Sequence, residues 1–258
     1  MKNKYSLILL LFLFTLCSPV FGQQPLKILS YNIHHGNPPS KPGIIDLEAI
    51  AKVIRTSGAD VVGLQEIDVN VGRSENVDQA KKLAELAGME YYFFSKGIDL
   101  EKGEYGTVIL SKFPITNTER LELPMPVKSE MRSLGIAKIK IPSGKEILFA
   151  NTHLDLKEEN RIAQTKFIVN HFQDTKHLVV LVGDLNAQPQ SEPIKILGNF
   201  FKRSEITNGF TIPEVNPTRE IDFIMVNKSK NPKFKNHKVI EESYASDHRP
   251  VYAELLIK

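Results

Sequence analysis

The sequence predicts an α/β fold in which two β-sheets pack face to face and carry helices on their outer sides. Nearly all-apolar runs, such as DVVGLQ at Asp60–Gln65, are typical of strands buried on both faces. Amphipathic segments with helical spacing separate some of these runs, whereas two runs flank the turn-forming tetrapeptide Pro142–Lys145 directly and predict a hairpin. This mixture suits an α/β sandwich. A doubly wound parallel sheet is the alternative, and the hairpin argues against it.

The first half of the chain contains four predicted strands and two predicted helices. The alternating run LKILSY predicts the first strand. Asp46 is a suitable N-cap, and apolar residues then recur at helical spacing until Gly58. In order, the predicted elements are strand Leu26–Tyr31, a helix between Asp46 and Gly58, strand Asp60–Gln65, helix Asn76–Ala87, and strands Tyr91–Phe94 and Tyr105–Ser111.

The second half begins with the predicted hairpin and continues with one helix and three strands. Its last strands are again short apolar runs bounded by glycine, proline or polar residues. The predicted elements are strands Ser133–Ile141 and Glu146–His153, helix Glu158–Phe172, and strands His177–Val182, Ile221–Val226 and Pro250–Ile257.

Residues 1–22 predict an export signal that is removed from a single domain of residues 23–258. A short basic start precedes an apolar run at Leu7–Leu16, and the residues before Gln23 have side chains that suit cleavage. The apolar run is about half of the ~20 residues that a membrane-spanning helix needs, so a permanent anchor is less favoured. We therefore expect an exported protein, either periplasmic or secreted.

The only cysteine, Cys17, lies in this signal segment. A lipidated cysteine of a bacterial lipoprotein usually follows a small residue, whereas Leu16 precedes Cys17, so lipoprotein anchoring is the less favoured alternative. Cleavage after Gly22 leaves a mature chain without a disulfide and without a thiolate that could bind a metal or act as a nucleophile.

The charge of the mature chain is nearly balanced. Loss of Lys2 and Lys4 from the 33 basic residues leaves 31 against 30 acidic residues. Proteins that depend on attraction to a phosphate backbone usually carry a clear basic excess. The composition therefore does not require a nucleic-acid partner, although local basic patches are compatible with it.

Polar side chains cluster where the predicted apolar strands stop. Strand ends at one edge of a sandwich can converge on one cleft even when they are distant in sequence. A buried carboxylate without a partner is costly, so we expect a bound cation or a hydrogen-bonding partner beside each. Carboxylates, amides and imidazoles without cysteine favour a hard cation, Mg²⁺ or Mn²⁺, over a sulfur-bound zinc. The residues are Asn32, Glu66, His153, Asp184, Asn186, Asp222, Asp247 and His248.

Six short motifs at these positions resemble the endonuclease/exonuclease/phosphatase (DNase I-like) family. They follow the family's order and extend over essentially the whole mature chain; each is weak alone, but the six together are specific. The resemblance implies a four-layer α/β sandwich, with two mixed sheets flanked by helices, and hydrolysis of a phosphate ester by metal-activated water. The motifs are SYNIHHG at Ser30–Gly36, LQE at Leu64–Glu66, NTHLD at Asn151–Asp155, GDLN at Gly183–Asn186, IDFI at Ile221–Ile224 and SDHRPV at Ser246–Val251.

The resemblance also implies where a metal ion and a catalytic histidine would lie. Glu66 is the expected principal metal ligand, with Asn32 beside it and Asp247 completing the acidic side. His248 is expected to act as a general base or as an electrostatic partner near the phosphorus, and Asp222 to orient its ring.

Three further motif residues are expected to act on water and phosphate. Asp184 would align or deprotonate the attacking water, and Asn186 would hold a phosphoryl oxygen. His153 would donate to the phosphate or protonate the leaving oxygen. The sequence leaves open how His248, Asp184 and the metal divide the activation of water.

Three other residues are candidate substrate contacts. Arg132 could grip a phosphate bidentately, with a surface ion pair as the equal alternative, and His34 and His35 could line the mouth of the site. His34 stands where abasic-site nucleases that this chain resembles commonly carry an acidic residue. The chain also has no tryptophan, which disfavours the aromatic membrane hairpin of secreted bacterial sphingomyelinases. Both subgroups are therefore less favoured.

The sequence thus predicts an exported, divalent-metal-dependent hydrolase of phosphodiesters or phosphomonoesters. The substrate could be a lipid head group, a sugar or inositol phosphate, or a nucleic acid. The alternative from another class is a non-catalytic binding module on the same fold; such a module could lose its acidic ligands, whereas this chain retains them. No protein partner is implied, and we expect a monomer.

Overall fold

The structure, a computed structural model, describes residues 25–207 and 209–257. The predicted signal at residues 1–22, including Cys17, lies outside the described residues. Within the described ranges, none of the helices combines the length and the apolar character needed to cross a membrane.

Twelve strands and four α-helices make up the regular structure of the described residues. In chain order the strands are β1 (Leu26–Asn32), β2 (Val61–Val69), β3 (Tyr91–Leu100), β4 (Gly103–Ser111), β5 (Ile115–Glu122), β6 (Ser133–Lys140), β7 (Glu146–His153), β8 (Leu178–Asp184), β9 (Phe201–Arg203), β10 (Asp222–Asn227), β11 (Lys233–Val239) and β12 (Val251–Leu256). The helices are α1 (Leu47–Ser57), α2 (Gln79–Ala87), α3 (Glu158–Phe172) and α4 (Glu192–Phe200).

The strands form two six-stranded mixed sheets of related design. The first sheet has the order β11-β12-β1-β2-β4-β3, and the second has the order β5-β6-β7-β8-β10-β9. Each sheet contains one parallel pair, β1 with β2 and β7 with β8, and its other neighbouring strands are antiparallel. A helix, α1 or α3, makes the crossover inside each parallel pair, as a parallel connection requires.

Three apolar cores separate four layers. The core between the sheets contains side chains of both, such as Ile28 and Phe149. A second core lies between the first sheet and helices α1 and α2, and a third lies between the second sheet and helices α3 and α4. Neighbouring residues of β1 face different cores, Ile28 the inner one and Leu29 the outer one, which explains the nearly all-apolar strand sequences. The predicted four-layer α/β sandwich is confirmed.

A buried amide joins the two sheets beneath their polar edge. Asn151 on β7 donates from Nδ2 to the main-chain oxygens of Leu64 and Val108, at 2.9 Å each, and its Oδ1 accepts from Gln65 Nε2 at 2.7 Å. The sheets approach closely here, since a Cβ on Gly63 would collide with the side chain of Val182. Glycine at this position therefore lets the amide reach across the inner core.

Most of the predicted elements are present, and the differences have local causes. Asp46 caps α1 by accepting from the Ala49 N–H at 3.0 Å, and Gly58 ends the helix at φ 69°. Helix α2 begins three residues later than predicted because Asp78 is its N-cap. Strands β5, β9 and β11 escaped prediction because they are sheet edges, where little apolar surface must be buried. Helix α4 escaped because it is only nine residues long, with a proline in its first turn and a glycine near its end.

Candidate active site

The polar motif residues meet at one edge of the sandwich because of the strand directions. Strands β1, β7 and β8 end at this edge, whereas the antiparallel strands β10 and β12 begin there. Asp184, the last residue of β8, is in register with His153 on β7 and with Asp222 on β10. The second sheet therefore supplies three neighbouring side chains as one row.

Glu66 reaches the same edge through a β-bulge. The prediction that the strand ends before Glu66 is wrong, since β2 continues to Val69 with a register shift between Gln65 and Ile67. Glu66 itself has a left-handed conformation, with φ 61°. A bulge turns one side chain away from its regular direction, and strain of this kind is concentrated at functional sites.

The buried amide of Asn32 connects the two sheets at the floor of the site. Its Nδ2 lies 3.0 Å from Glu66 Oε1 and 3.1 Å from Asp184 Oδ2, and both carboxylate oxygens accept hydrogen bonds from it. Its Oδ1 accepts from the main-chain N–H of His34 at 3.1 Å. Asn32 therefore joins the Glu66 side of the site, from the first sheet, to the Asp184 side, from the second.

His248 and Asp222 form a buried pair beside Asp184. His248 Nδ1 lies 2.9 Å from Asp222 Oδ2, and His248 Nε2 lies 3.7 Å from Asp184 Oδ2. The hydroxyl of Thr211, fully buried, also donates to Asp222 Oδ2, at 2.5 Å. Asp222 is thus held by two donors, and it orients the imidazole so that Nε2 points towards Asp184.

His153 stands on the other side of Asp184 and is oriented by Arg132. Arg132 Nη1 lies 3.4 Å from His153 Nδ1 and 2.8 Å from Glu130 Oε1. A guanidinium can only donate, so Nδ1 of His153 is the acceptor and its proton is on Nε2, which lies 3.4 Å from Asp184 Oδ2. Arg132 is buried, and it forms the ion pair considered for it, with Glu130, whose side chain is partly exposed; its contact with a substrate stays a prediction.

Burial and neighbouring charge shift the pKa values on the Asp184 side of the site. Burial alone would lower the pKa of His248, but the charge and hydrogen bond of Asp222, together with the charge of Asp184, raise it to about 10. Burial, and then the charge of Asp222, raise the pKa of Asp184. His248 is therefore an imidazolium at neutral pH, and Asp184 is a stronger base than an exposed aspartate.

The pKa values of Glu66 and His153 are lowered, whereas those of Asp184 and His248 are raised. Burial would raise the pKa of the Glu66 carboxyl, but the neighbouring His35 and the Asn32 amide contribute to holding it well below its usual range. Burial, and then the charge of Arg132, lower the pKa of His153 to about 3. At neutral pH Glu66 is therefore a carboxylate and His153 a neutral imidazole, in agreement with its hydrogen bonding.

These side chains form the floor and walls of an open cleft of about 310 Å³. A second cavity, of about 330 Å³, lies where β7 and β8 begin and β12 ends, at the opposite edge of the sandwich, and the acid and imidazole network is absent from its lining. We therefore assign the site to the smaller cleft. Its lining residues are Glu66, Tyr105, Arg132, His153, Leu156, Asp184, Asn186, Ile212, Arg219, Ile221 and His248.

The remaining predicted site residues lie around this cleft. Asn186 lines it, and its amide donates to the main-chain oxygen of Leu154 at 2.9 Å. Asp247 is half-buried next to His248, and the Ser246 hydroxyl lies 3.3 Å from its Oδ1 and 2.7 Å from the Asn32 main-chain oxygen. The roles predicted for Asn186 and Asp247 stay predictions.

His34 and His35 lie beside Glu66. The lining of the cleft, taken over the described residues, does not include them. Their rings meet edge to face with centroids 4.6 Å apart, and His35 Nδ1 lies 4.0 Å from Glu66 Oε2. The predicted substrate contact of these histidines stays a prediction, and the carboxylate nearest to His35 belongs to Glu66, a candidate metal ligand.

The residues around Glu66 fit a divalent cation. Its Oε1 accepts a hydrogen bond from Asn32, whereas its Oε2 faces His35 beyond hydrogen-bond distance, and an ionised carboxylate is a preferred ligand of Mg²⁺ and Mn²⁺. Asp184, Asp222 and His248 also place one possible ligand atom each within 4.8 Å of one another. In that group Asp184 Oδ2 accepts from Asn32, and Asp222 Oδ2 accepts from Thr211 and His248, whereas the nearest ionisable group to Glu66 Oε2 lies beyond hydrogen-bond distance, so Glu66 is the better position for a cation.

Three residues of the site were not identified from the sequence. Tyr105 lines the cleft within β4, where the strand pattern does not distinguish it from structural residues; burial, and then the Glu66 charge, raise the pKa of its hydroxyl. Thr211 lies in a segment without a recognisable motif. Arg219 also lines the cleft. The feature of the sequence that could have indicated it is its position three residues before Asp222.

Known proteins resemble the chain over nearly its whole length. Residues 29–248 match the profile described as the endonuclease/exonuclease/phosphatase family. The uncharacterized protein YbhP of Escherichia coli strain K12 is 28% identical over 248 residues, which cover 90% of this chain and 97% of YbhP. An endonuclease/exonuclease/phosphatase from Beutenbergia cavernae DSM 12333 has the same fold, with a TM-score of 0.78, 23% identity, and coverage of 91% of this chain and 72% of that one. So does a mannosyl-6-phosphatase from Bacteroides thetaiotaomicron VPI-5482, with a TM-score of 0.74, 20% identity, and coverage of 90% and 100%.

Proposed function

The chain belongs to the endonuclease/exonuclease/phosphatase family, and on this premise we propose that it is a divalent-cation-dependent hydrolase of phosphate esters. Membership supports a phosphoesterase at the level of the family. One observation supports the finer proposal: the buried network in which Asn32 joins Glu66 to Asp184, with His153 and His248 on either side of Asp184. Such a network can bind a cation, a phosphate group and a water molecule side by side.

Asp184 is the residue that we propose to orient and deprotonate the attacking water. Its Oδ2 faces Asn32 Nδ2, His153 Nε2 and His248 Nε2 at 3.1, 3.4 and 3.7 Å, so the carboxylate is fixed by three groups. Burial raises its pKa, which makes it a better proton acceptor at neutral pH. The proton of water would pass to Asp184 as the oxygen attacks phosphorus.

Cationic and neutral donors around the cleft would bind the phosphoryl oxygens. His248 carries a positive charge that Asp222 maintains, and it faces the position where negative charge develops. Arg132 has a buried Nε without a hydrogen-bond partner among the described residues, and the second amide hydrogen of Asn186 is free for a ligand. His153 Nε2 would donate to the phosphate or to the leaving oxygen. A cation at Glu66 would add charge stabilisation to these contacts.

A small phosphate ester is the substrate class that we propose. A cleft of about 310 Å³ is at the lower end of the range for small-molecule sites, and the near-neutral charge of the mature chain does not favour long nucleic acids. Arg132 and Arg219 both line the cleft and suit a phosphomonoester dianion. One protein with this fold acts as a mannosyl-6-phosphatase, so sugar phosphates are the first compounds to test.

We also propose that the protein is exported and acts as a monomer. The proposal of export depends on the basic start, the apolar run Leu7–Leu16 and the cleavage-compatible residues before Gln23. Fractionation of cells that express the full chain, with N-terminal sequencing of the product, tests it. A mature protein that begins at Gln23 is the expected result, and an unprocessed cytoplasmic chain would contradict it.

A substrate panel tests the proposed activity. Purified protein is assayed with mannose 6-phosphate, bis-p-nitrophenyl phosphate, sphingomyelin and plasmid DNA, each with Mg²⁺, Mn²⁺ or EDTA. We expect turnover of at least one ester that EDTA abolishes, and a decrease in kcat/KM of at least about 100-fold for Glu66→Gln and for Asp184→Asn. Glu119→Gln, which changes a carboxylate on edge strand β5, is the matched control. A folded protein that turns over none of these esters would favour the non-catalytic binding module.

A further inference from the structure

One ring nitrogen of His35, Nδ1, is buried beside Glu66. This nitrogen is inaccessible to solvent and has no hydrogen-bond partner among the described residues. The nearest ionisable group is Glu66 Oε2, at 4.0 Å, which is too long for a hydrogen bond. Buried polar atoms of native structures usually have a partner, which can be a water molecule, an ion or a ligand.

The side chain of Gln79 fixes the main chain of His35 relative to the strand that carries Glu66. Gln79 Nε2 on α2 donates to the main-chain oxygen of His35 at 2.7 Å, and Gln79 Oε1 accepts from the N–H of Asp68 at 3.0 Å, two residues beyond Glu66. His35 also adopts φ 43°, an uncommon conformation for a residue other than glycine. The gap between the imidazole and the carboxylate is therefore built into the fold.

A shared cation explains this gap. Two ligands at about 2.0 to 2.2 Å from one ion are separated by about 3 to 4.3 Å, and 4.0 Å lies within this span. We propose that His35 and Glu66 bind the same divalent cation, so that the site binds a transition-metal ion such as Mn²⁺ in preference to Mg²⁺. Imidazole nitrogen favours transition metals, whereas Mg²⁺ prefers oxygen ligands. This inference rests on the proposed function, because it assumes a cation at Glu66.

The adjacent His34 provides a matched comparison. It also has a left-handed conformation, with φ 47°, but its Nδ1 is hydrogen-bonded to the main-chain oxygen of Asn37 at 2.9 Å. His34 Nδ1 therefore has a hydrogen-bond partner, whereas His35 Nδ1 has none within the described part of the chain. Asparagine tolerates positive φ better than most residues do, so His34→Asn and His35→Asn change each imidazole with little added backbone strain.

Cation binding, measured without substrate, tests the proposal. The dissociation constants of Mn²⁺ and Mg²⁺ are determined by electron paramagnetic resonance and by competition for wild type, His35→Asn, His34→Asn and Glu66→Gln. We expect His35→Asn to weaken Mn²⁺ binding at least about tenfold more than Mg²⁺ binding, whereas His34→Asn changes the ratio less than about threefold. Pulsed resonance should detect a directly bound ¹⁴N in wild type and in His34→Asn, and this signal should be lost in His35→Asn. Circular dichroism checks folding, and His35→Gly replaces the asparagine variant if it does not fold.

The outcomes separate this inference from the proposed function. If Glu66→Gln abolishes binding while His35→Asn keeps the Mn²⁺ to Mg²⁺ ratio and the ¹⁴N signal, His35 is not a ligand and the proposed cation site at Glu66 stands. If wild type binds neither cation, both proposals are overturned.

Discussion

Replacing Asp222 by asparagine tests the pairing on which the charge of His248 depends. Asp222 Oδ2 lies 2.9 Å from His248 Nδ1, and the pair raises the pKa of His248 from 6.5 to about 10. Asparagine keeps the size of the side chain and an oxygen that can accept from Thr211, but it removes the negative charge. Burial then dominates, and the pKa of His248 should decrease to its ordinary value or below.

The size of the effect follows from the two pKa values of His248. Because the native state binds this proton more tightly than the unfolded state, its stabilising contribution is complete below pH 6.5 and is lost as the pH rises towards 10. Each pH unit in this window removes up to about 1.4 kcal/mol, so wild type should lose about 2 to 3 kcal/mol of unfolding free energy between pH 7 and pH 9. The raised pKa of Asp184 acts mainly below this range, because its contribution is lost as the pH rises through about 7.

Urea unfolding of the metal-free protein, followed by circular dichroism at pH 7, 8 and 9, measures this loss. The free energy of unfolding of Asp222→Asn should decrease by less than about 0.5 kcal/mol over the same pH range, after subtraction of the pH-dependent change that it shares with wild type. Glu119→Gln is the control, since Glu119 and His171 form an ion pair at 3.7 Å that is partly exposed and should contribute little. Parallel stability curves for Asp222→Asn and wild type would refute the proposed pairing.

Three further substitutions test other parts of the structure. Asn151→Ala removes two hydrogen bonds to main-chain oxygens of the first sheet and leaves a buried gap. Urea unfolding should therefore show that the free energy of unfolding decreases by about 2 to 4 kcal/mol. A decrease below about 0.5 kcal/mol would contradict the bridge between the sheets. Thr211→Val removes a donor to Asp222 with little change in volume, and should lower kcat about tenfold at unchanged KM; an unchanged kcat would exclude a positioning role. Arg219→Ala should raise the KM for a phosphomonoester about tenfold with little change in kcat, whereas Arg120→Ala on β5, which is not among the cleft-lining residues, should change neither. Equal effects would remove Arg219 from the substrate site.

The sequence was informative where burial and chemistry act on the same short segment. β1, β7 and β8 each combine an apolar run with a polar residue at its end, and the structure confirms that Asn32, His153 and Asp184 meet at one edge. Edge strand β5 has no such segment, because most of its side chains face solvent and the apolar alternation is weak. Prediction failed there for lack of a physical signal.

The bulge at Glu66 was missed for another reason than the edge strand was. The motif LQE identified the residue, but local pattern could not distinguish a strand end from a strand that continues through a bulge. The bulge depends on pairing with β4, which is distant in sequence, and its φ of 61° is maintained by that pairing. Thr211 and Tyr105 were missed for a similar reason, because their roles arise from contacts and not from a local motif.

The sequence by itself determined the chemistry available to this protein: carboxylates, amides and imidazoles at the ends of buried strands, which predict the fold and the family. Only the tertiary structure decided how those groups are coupled. It turned Nε2 of His248 and of His153 towards Asp184, buried Arg132 against His153, and left His35 Nδ1 4.0 Å from Glu66 without a hydrogen bond. Distance and burial set pKa values and cation affinity, and both arise from packing between segments that are distant in the chain.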